Sequence, residues 1–177
     1  NPNDFKEIKK LVNKKDILII EDNCESLGAE FLNKKTGTIG LLGTFSFFFS
    51  HHISTMEGGM IVTNNKELYH ILLSIRAHGW TRNLPVDNMV VKKAKNNFDE
   101  AFRFVLPGYN LRPLEMTGAI GSIQIQKFPK FLKQRKKNAK GFLEIMHENN
   151  DIITQKEIGS SSWFGFSMVI RQNSKLT

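Results

Sequence analysis

The segment DILIIED, residues 16–22, constrains the fold of this chain more than any other stretch. It follows NPNDFKEIKKLV, where apolar residues recur at helical spacing behind cap-type residues, so a helix is predicted to run to about Asn13. Residues 17–20 within it are all apolar and mostly β-branched, which favours a strand buried on both faces of a parallel sheet. A helix that leads directly into such a strand is typical of an α/β fold.

Three further segments have clear patterns. LLGTFSFFF (41–49) and GGMIVT (58–63) are predicted strands, and NKELYHILLSIRAHGW (65–80) is a predicted helix with a stripe of leucine and isoleucine on its buried side. The polar segment 81–98 is long for a loop of a compact domain, and such a loop is usually a lid, a partner-contacting arm or disordered.

The last third of the chain is predicted to be largely helical. A helix with Pro113 in its first turn is interrupted at Pro129 and resumes to about residue 150. The aromatic segment 161–177 is predicted as a strand that ends without a partner.

Charge and cysteine content narrow the function classes. The net charge of +8 would suit nucleic acid, but much of the excess lies in residues 127–142, whose helical pattern is more often a solvated face. We therefore expect no nucleic-acid partner. No apolar run approaches the roughly 20 residues that span a bilayer, and the pattern predicts a cytoplasmic protein. Cys24, the single cysteine, excludes an internal disulfide and a cluster held by several thiolates of this chain.

Acidic residues follow the buried run directly, at Glu21, Asp22 and Glu25. In open α/β sheets ligands bind beyond the carboxyl ends of the strands, so this end is a candidate site. As an alternative, Asp22 or Asn23 could equally do no more than cap a turn.

Three chemistries could use the residues near this end. Metal binding would recruit His51 and His52, but adjacent side chains of an extended segment point in opposite directions, and we expect no metal. A serine hydrolase is disfavoured because no Gly-x-Ser-x-Gly elbow is present. A cofactor with a protonated pyridine nitrogen would pair with Asp22, with Ser46 on its phosphate and His51 as a base. On spacing alone, a histidine that only hydrogen-bonds a carbonyl explains His51 better.

The order of four segments adds a resemblance. IIEDNCESLGAEF, GTFSFFFSHHISTMEGGMIVT, SIRAHGWTRNLP and FVLPGYNLRPLEMTGAIG together resemble the pyridoxal-phosphate (PLP)-dependent sugar aminotransferase family of the DegT type, and within it the 3-dehydratase branch. The resemblance implies a fragment of an aspartate-aminotransferase-like (fold type I) large domain, a three-layer α/β/α structure, with the start of a small C-terminal domain. It assigns residues 1–128 to the large domain, 129–150 to a connecting helix and 151–177 to the small domain. Family members are about twice as long, so the chain is expected to be an internal fragment.

The resemblance also implies an activity. Ordinary members carry a lysine at the position of His51 that joins the cofactor covalently as an imine, and histidine cannot do so. This implies a PLP and pyridoxamine-phosphate (PMP) dependent 3-dehydratase that acts on a nucleotide-linked 4-keto-6-deoxy sugar, with glutamate as the amino donor, in deoxysugar and lipopolysaccharide O-antigen synthesis. The CDP-sugar branch binds an iron–sulfur cluster, which requires several cysteines. Because Cys24 is the single cysteine of this chain, the GDP-sugar branch is favoured. A sugar aminotransferase and a truncated, non-catalytic chain are the alternatives.

By the same resemblance, His51 is the catalytic residue, and Asp22, Glu25, Ser46 and Asn110 bind the cofactor. Asn110 would reach the phosphate in the neighbouring subunit's site, which implies a homodimer with shared active sites. His78 is expected to contact substrate, although it could equally cap the preceding helix. His52 is expected to point away from the cofactor and to pack or bond locally.

Overall fold

The computed structural model describes residues 1–12 and 15–174. The helices are α1 (Phe5–Val12), α2 (Lys66–Ile75), α3 (Asn97–Ala101) and α4 (Glu115–His147). The strands are β1 (Ile20–Asp22), β2 (Glu30–Phe31), β3 (Lys34–Lys35), β4 (Leu42–Ser46), β5 (Gly59–Val62), β6 (Ile152–Thr154) and β7 (Met168–Ile170). The predicted end of the first helix at Asn13 lies outside the described residues.

A three-stranded sheet of order β1-β4-β5 positions the candidate site. β1 is parallel to β4, and β4 is antiparallel to β5. β4 alternates half-buried and buried residues, as expected for a strand with two unlike faces. The helix α2 begins where predicted, because the side chain of Asn65 caps it by accepting the N–H of Leu68 at 3.0 Å.

The prediction that residues 17–20 are buried on both faces is wrong. Ile17, Leu18 and Ile20 are 52%, 68% and 63% exposed, and β1 begins only at Ile20. The reason is that β1 lies at the edge of the sheet, where the described part of the chain supplies β4 on one side only. The apolar run thus leads into β1 but overlaps it only at Ile20, and the predicted burial is not observed.

The helix α4 is continuous over 33 residues, so the predicted interruption at Pro129 is wrong. A proline removes one main-chain hydrogen bond, and the turns on either side of Pro129 keep theirs. Pro113 also lies before the helix, because Leu114 is the extended N-cap residue, with φ −79° and ψ 148°. The predicted domain boundary after residue 128 falls inside α4 and stays a prediction.

The C-terminal segment is tied to the end of α4. β7 pairs with β6 in an antiparallel ladder, in which Ile153 lies opposite Val169. The expectation that the last strand has no partner is therefore wrong, because the short run after α4 had no recognisable strand pattern. Among the described residues, no helix is both long enough and apolar enough to cross a membrane.

The long segment 81–98 has a defined conformation. Glu100 accepts hydrogen bonds from Thr81 Oγ1 at 2.6 Å and from the N–H of Ala94 at 2.8 Å, and Lys93 Nζ lies 2.9 Å from its carboxylate. Hydrogen bonding by Thr81, and then by the Ala94 backbone, lowers the pKa of Glu100 to about 2. An ionised carboxylate therefore fastens this segment at both ends.

Candidate functional site

The ends of β1 and β4 meet at one edge of the sheet. Asp22 lies in register with Thr44, two residues before Ser46, and the N–H of Asn23 donates to the Thr44 carbonyl at 2.8 Å. Asp22 and Ser46 therefore share the carboxyl edge of two parallel strands, as the sequence predicts.

Glu21 fixes this edge from inside the fold. Its side chain is 4% exposed, and its carboxylate accepts the backbone N–H groups of Gly37, Ile39 and Gly40 at 2.6, 2.6 and 2.5 Å. These amides belong to the loop that leads into β4. In the sequence Glu21 is only one of several acids at this strand end. Because side chains alternate along a strand, an acid adjacent to Asp22 points to the opposite face of the sheet.

Asp22 is exposed, and its carboxylate is held in the ionised form. Its Oδ1 accepts the N–H of Cys24 at 3.1 Å. Hydrogen bonds from the Cys24 thiol, and then from the Cys24 backbone, lower the pKa of Asp22, and the same contact raises the pKa of the thiol. The site thus presents an anion at the end of β1.

Ser46 ends β4 with a half-buried hydroxyl. Its Oγ accepts the N–H of Phe48 at 3.2 Å. This bond uses a lone pair of the oxygen and leaves the O–H free to donate to an acceptor such as a phosphate oxygen.

His51 lies in the turn that follows β4. Its N–H donates to the carbonyl of Phe48 at 3.0 Å, and its half-buried ring packs edge-on against two phenyl rings. The Phe48 and Phe164 centroids lie 5.7 and 5.4 Å from the imidazole, at interplanar angles of 68° and 72°. The Nδ1 atom is buried and has no hydrogen-bond partner among the residues that the structure describes. A carbonyl bond at Nδ1 is therefore not what holds this ring.

His52 is buried beside it, with 4% exposure, between Phe128 and Phe164. Neither ring nitrogen has a hydrogen-bond partner within the described part of the chain. Burial, and second the nearby charge of Arg135, lowers the pKa of His52 to about 4. His52 packs locally, as expected, and is neutral near pH 7.

Glu25 lies on a cavity of about 690 Å³ between α1, the turn after β1 and the C-terminal segment. Asp22 and Phe164 also line this cavity, whereas His51 and Ser46 do not. Phe164 therefore borders the cavity and also touches the His51 ring.

His78 and Asn110 lie close to each other through backbone pairing. The N–H of His78 donates to the Tyr109 carbonyl at 2.8 Å, and Ala77 forms a bridge with Asn110. His78 and Asn110 are both exposed, and His78 has a φ of 63°. In residues 1–12 and 15–174, neither is in contact with His51 or Ser46 by any hydrogen bond or ring contact.

No group of three or more His, Cys, Asp and Glu side chains in the described ranges is placed to hold a metal ion.

Similar proteins extend this geometry. The GDP-4-keto-6-deoxy-D-mannose 3-dehydratase of Escherichia coli O55:H7 is 58% identical over 98% of this chain and 45% of the relative. The enzyme of the same name from Yersinia pseudotuberculosis is 57% identical over 100% of this chain and 45% of the relative. A transaminase of Helicobacter pylori that acts on UDP-4-amino-4,6-dideoxy-N-acetyl-beta-L-altrosamine, by its name, is 30% identical over 82% of this chain and 35% of its own.

Solved structures agree with these relatives. The E. coli GDP-4-keto-6-deoxy-D-mannose 3-dehydratase with bound hydrated PLP superposes with a TM-score of 0.95 at 58% identity, over 99% of this chain and 46% of that one. A 3-dehydratase structure with a trapped PLP-glutamate geminal diamine gives a TM-score of 0.95 at 57% identity, with the same coverage. The predicted PLP aminotransferase-like α/β fold is thereby confirmed.

The chain spans under half the length of the curated relatives it matches, which agrees with the expected fragment. The family model described as DegT/DnrJ/EryC1/StrS aminotransferase matches residues 1–177. This chain belongs to the DegT/DnrJ/EryC1/StrS aminotransferase family.

Proposed function

We propose that the longest natural polypeptide containing this chain, called here the full polypeptide, is a PLP- and PMP-dependent 3-dehydratase. Its substrate would be GDP-4-keto-6-deoxy-D-mannose, and glutamate its amino donor. The observation that carries the proposal is the difference in identity: 58% and 57% to two 3-dehydratases, compared with 30% to a transaminase.

The residues at the strand ends fit PLP as a donor set. The ionised Asp22 suits a protonated pyridine nitrogen, and the free O–H of Ser46 suits a phosphate oxygen. Glu25 lies three residues after Asp22 and lines the same cavity, which suits a contact with the ring hydroxyl. The unpartnered Nδ1 of His51 is expected where a bound group supplies the missing partner. When bound, the cofactor supplies an electron sink and, in its amine form, the amino group.

His51 carries the proton in this proposal. An imidazole accepts and releases protons near neutral pH, but it does not form a stable imine as lysine does. His51 would therefore leave the cofactor held by noncovalent contacts alone, and the chain would lack the amine that normally closes transamination. The rings of Phe48 and Phe164 pack against the imidazole and make part of its surroundings apolar.

The overall reaction balances without another reductant. Glutamate is oxidised by two electrons and leaves as 2-oxoglutarate, and its nitrogen leaves as ammonia. The sugar is reduced by two electrons, because its C3–O bond breaks and a C3–H bond forms. The oxygen lost at C3 equals the oxygen gained by 2-oxoglutarate.

We also propose a homodimer in the cytoplasm. Asn110 is exposed and makes no described contact with Ser46, so a phosphate role for it is best met in a partner subunit's site. His78, next to Asn110 through the backbone pairing, would then contact the substrate near the subunit boundary. Cys24 is a free thiol, which suits a reducing compartment.

Product analysis tests the proposed function. The full polypeptide is incubated with PLP, glutamate and GDP-4-keto-6-deoxy-D-mannose, and the sugar product is identified by mass spectrometry and NMR. We expect a 3-deoxy-4-keto sugar together with ammonia. A 4-amino-4,6-dideoxy sugar without ammonia would instead show an aminotransferase, and an unchanged substrate would favour a non-catalytic chain.

A further inference from the structure

The His51 ring is held on one side by its own turn and on the other by a distant part of the chain. Phe48 belongs to the same turn as His51, whereas Phe164 comes from the segment that follows α4. Both rings meet the imidazole edge-on. Because His51 Nδ1 has no hydrogen-bond partner in the described residues, these ring contacts are what orients the imidazole.

We propose that Arg135 and Phe164 act as a positioning pair for His51, in which Arg135 on α4 holds the main chain that presents the Phe164 ring to the imidazole. This inference rests on the proposed role of His51 as the proton carrier. Neither Arg135 nor Phe164 would touch the substrate in this role.

Arg135 binds the main chain at Trp163 and Phe164. Its Nη1 donates to the carbonyl of Trp163 at 3.1 Å and to the carbonyl of Phe164 at 2.9 Å. Its guanidinium carbon also lies 5.7 Å from the centroid of the Phe164 ring. A planar guanidinium can contact a ring and donate hydrogen bonds from its N–H groups at the same time.

The backbone at Trp163 needs this support. Trp163 has a φ of 52°, a left-handed conformation that a bulky side chain rarely adopts, and its side chain is 4% exposed. Ser161 Oγ accepts the Trp163 N–H at 3.1 Å, while Arg135 binds the carbonyl of the same residue. Such conformations persist where the surroundings over-determine them, and they cluster at functional sites. Here the unusual turn directs the next residue, Phe164, toward His51.

Phe164 in turn touches both histidines. Its centroid lies 5.4 Å from that of His51 and 5.5 Å from that of His52. His52 also packs against Phe128 on α4, so one wall of the site is made by α4 and the C-terminal segment together. A loss of the Phe164 ring would free the imidazole to rotate without removing any polar group from the site.

Phe166 provides a matched control in the same segment. Its ring stacks on Phe142 at 4.7 Å and lies 5.9 Å from Trp163, but it makes no ring contact with His51. Lys136 is the matched control for Arg135, because it neighbours Arg135 on α4 and donates to Ser160 Oγ at 2.6 Å in the same segment.

The experiment compares Phe164→Leu and Arg135→Gln with Phe166→Leu and Lys136→Gln in the full polypeptide. One readout is kcat and KM for dehydration. The other is the ¹⁵N spectrum of the His51 imidazole in the PLP-loaded protein, assigned through His51→Asn. We expect Phe164→Leu and Arg135→Gln to lower kcat about tenfold or more and to leave KM within about twofold, because a misplaced reacting group reduces the rate rather than the affinity. Both changes should also shift the His51 signals. The two controls should change kcat and KM by no more than about twofold and should leave the His51 signals in place.

The inference is overturned if Phe164→Leu and Phe166→Leu lower kcat alike, which would show a general packing effect, or if Phe164→Leu leaves kcat and the His51 spectrum unchanged. If Phe164→Leu does not fold, Arg135→Gln against Lys136→Gln decides by the same criteria. If the unmodified polypeptide has no dehydratase activity, the proposed function fails, and the His51 spectra alone then decide the positioning role.

Discussion

The backbone N–H of Gly37, in the loop before β4, donates a hydrogen bond of 2.6 Å to Oε2 of Glu21 on β1. Two more amides, those of Ile39 and Gly40, donate to Oε1 of the same carboxylate. Through these contacts a buried charge ties the loop before β4 to the strand that ends at Asp22. The proposed cofactor anchor is therefore fixed by its neighbour in the sequence.

Replacement of Glu21 by Gln should destabilise the full polypeptide. The amide NH₂ would face backbone donors where a carboxylate oxygen now accepts, and hydrogen bonds to a charged group contribute about 1.5–3 kcal/mol each. We expect the free energy of unfolding, measured in urea, to fall by about 2–4 kcal/mol. Glu25→Gln is the control, because Glu25 is exposed. An equal, small effect of both changes would contradict the role assigned to Glu21.

The loop before β4 shows how far sequence reasoning reaches. The alternation in β4 and the Asn65 cap of α2 are local signals, and both elements were predicted. The contact of Glu21 with Gly37 depends on residues far apart in the chain, as does the β6–β7 pairing, and no local pattern encodes such contacts. The candidate site shows the same limit. The strand ends predict that Asp22 and Ser46 lie at one edge of the sheet, whereas the contact between Phe164 and His51 is visible only in the tertiary structure.

Gly79 is expected to tolerate no side chain. Its φ is +81°, and an added Cβ would lie 1.7 Å from the carbonyl oxygen of Leu106. We expect Gly79→Ala to lower the free energy of unfolding by more than about 2 kcal/mol, since both strain and a backbone clash result. Gly141→Ala is the control, because an added Cβ meets nothing within 4 Å there. That change in α4 should stabilise by roughly 0.5–1 kcal/mol, and chemical unfolding of both variants would show whether the signs differ as stated.

His52 should make stability depend on pH. In the unfolded chain a histidine binds its proton near pH 6.5, whereas burial lowers the pKa of folded His52 to about 4. Between these values the unfolded state binds more protons, so the free energy of unfolding falls as the pH falls from about 6.5 to about 4. The loss from pH 7 to pH 5 should be on the order of 1–2 kcal/mol from this residue.

The variant His52→Gln isolates this contribution in urea unfolding at the two pH values. It should lose less stability than the unmodified protein between pH 7 and pH 5. His147→Gln, at an exposed position near the end of α4, should retain the original dependence. Identical pH dependence in His52→Gln and the unmodified protein would show that His52 titrates normally.

Glu100 should control the order of segment 81–98. Its folded pKa of about 2 lies below the ordinary value of 4.5, so its stabilising contacts are present above about pH 4.5 and are lost as the pH falls toward 2. At neutral pH, Glu100→Gln should speed hydrogen exchange of the Ala94 amide about tenfold or more, because that amide loses its charged acceptor. Asp87→Asn is the control in the same segment, since Asp87 pairs with Lys66 while 96% exposed. Equal exchange in Glu100→Gln and Asp87→Asn would refute the assignment.

The substitution His51→Lys tests the central claim, that a histidine replaces the cofactor-binding lysine and directs the reaction to deoxygenation. The measurement is the rate of ammonia release from glutamate by the full polypeptide in the presence of PLP and GDP-4-keto-6-deoxy-D-mannose. We predict steady release by the unmodified protein and a loss of about 100-fold or more in His51→Lys, the size expected when a general base is removed. Release by His51→Lys at a rate close to that of the unmodified protein would contradict the claim.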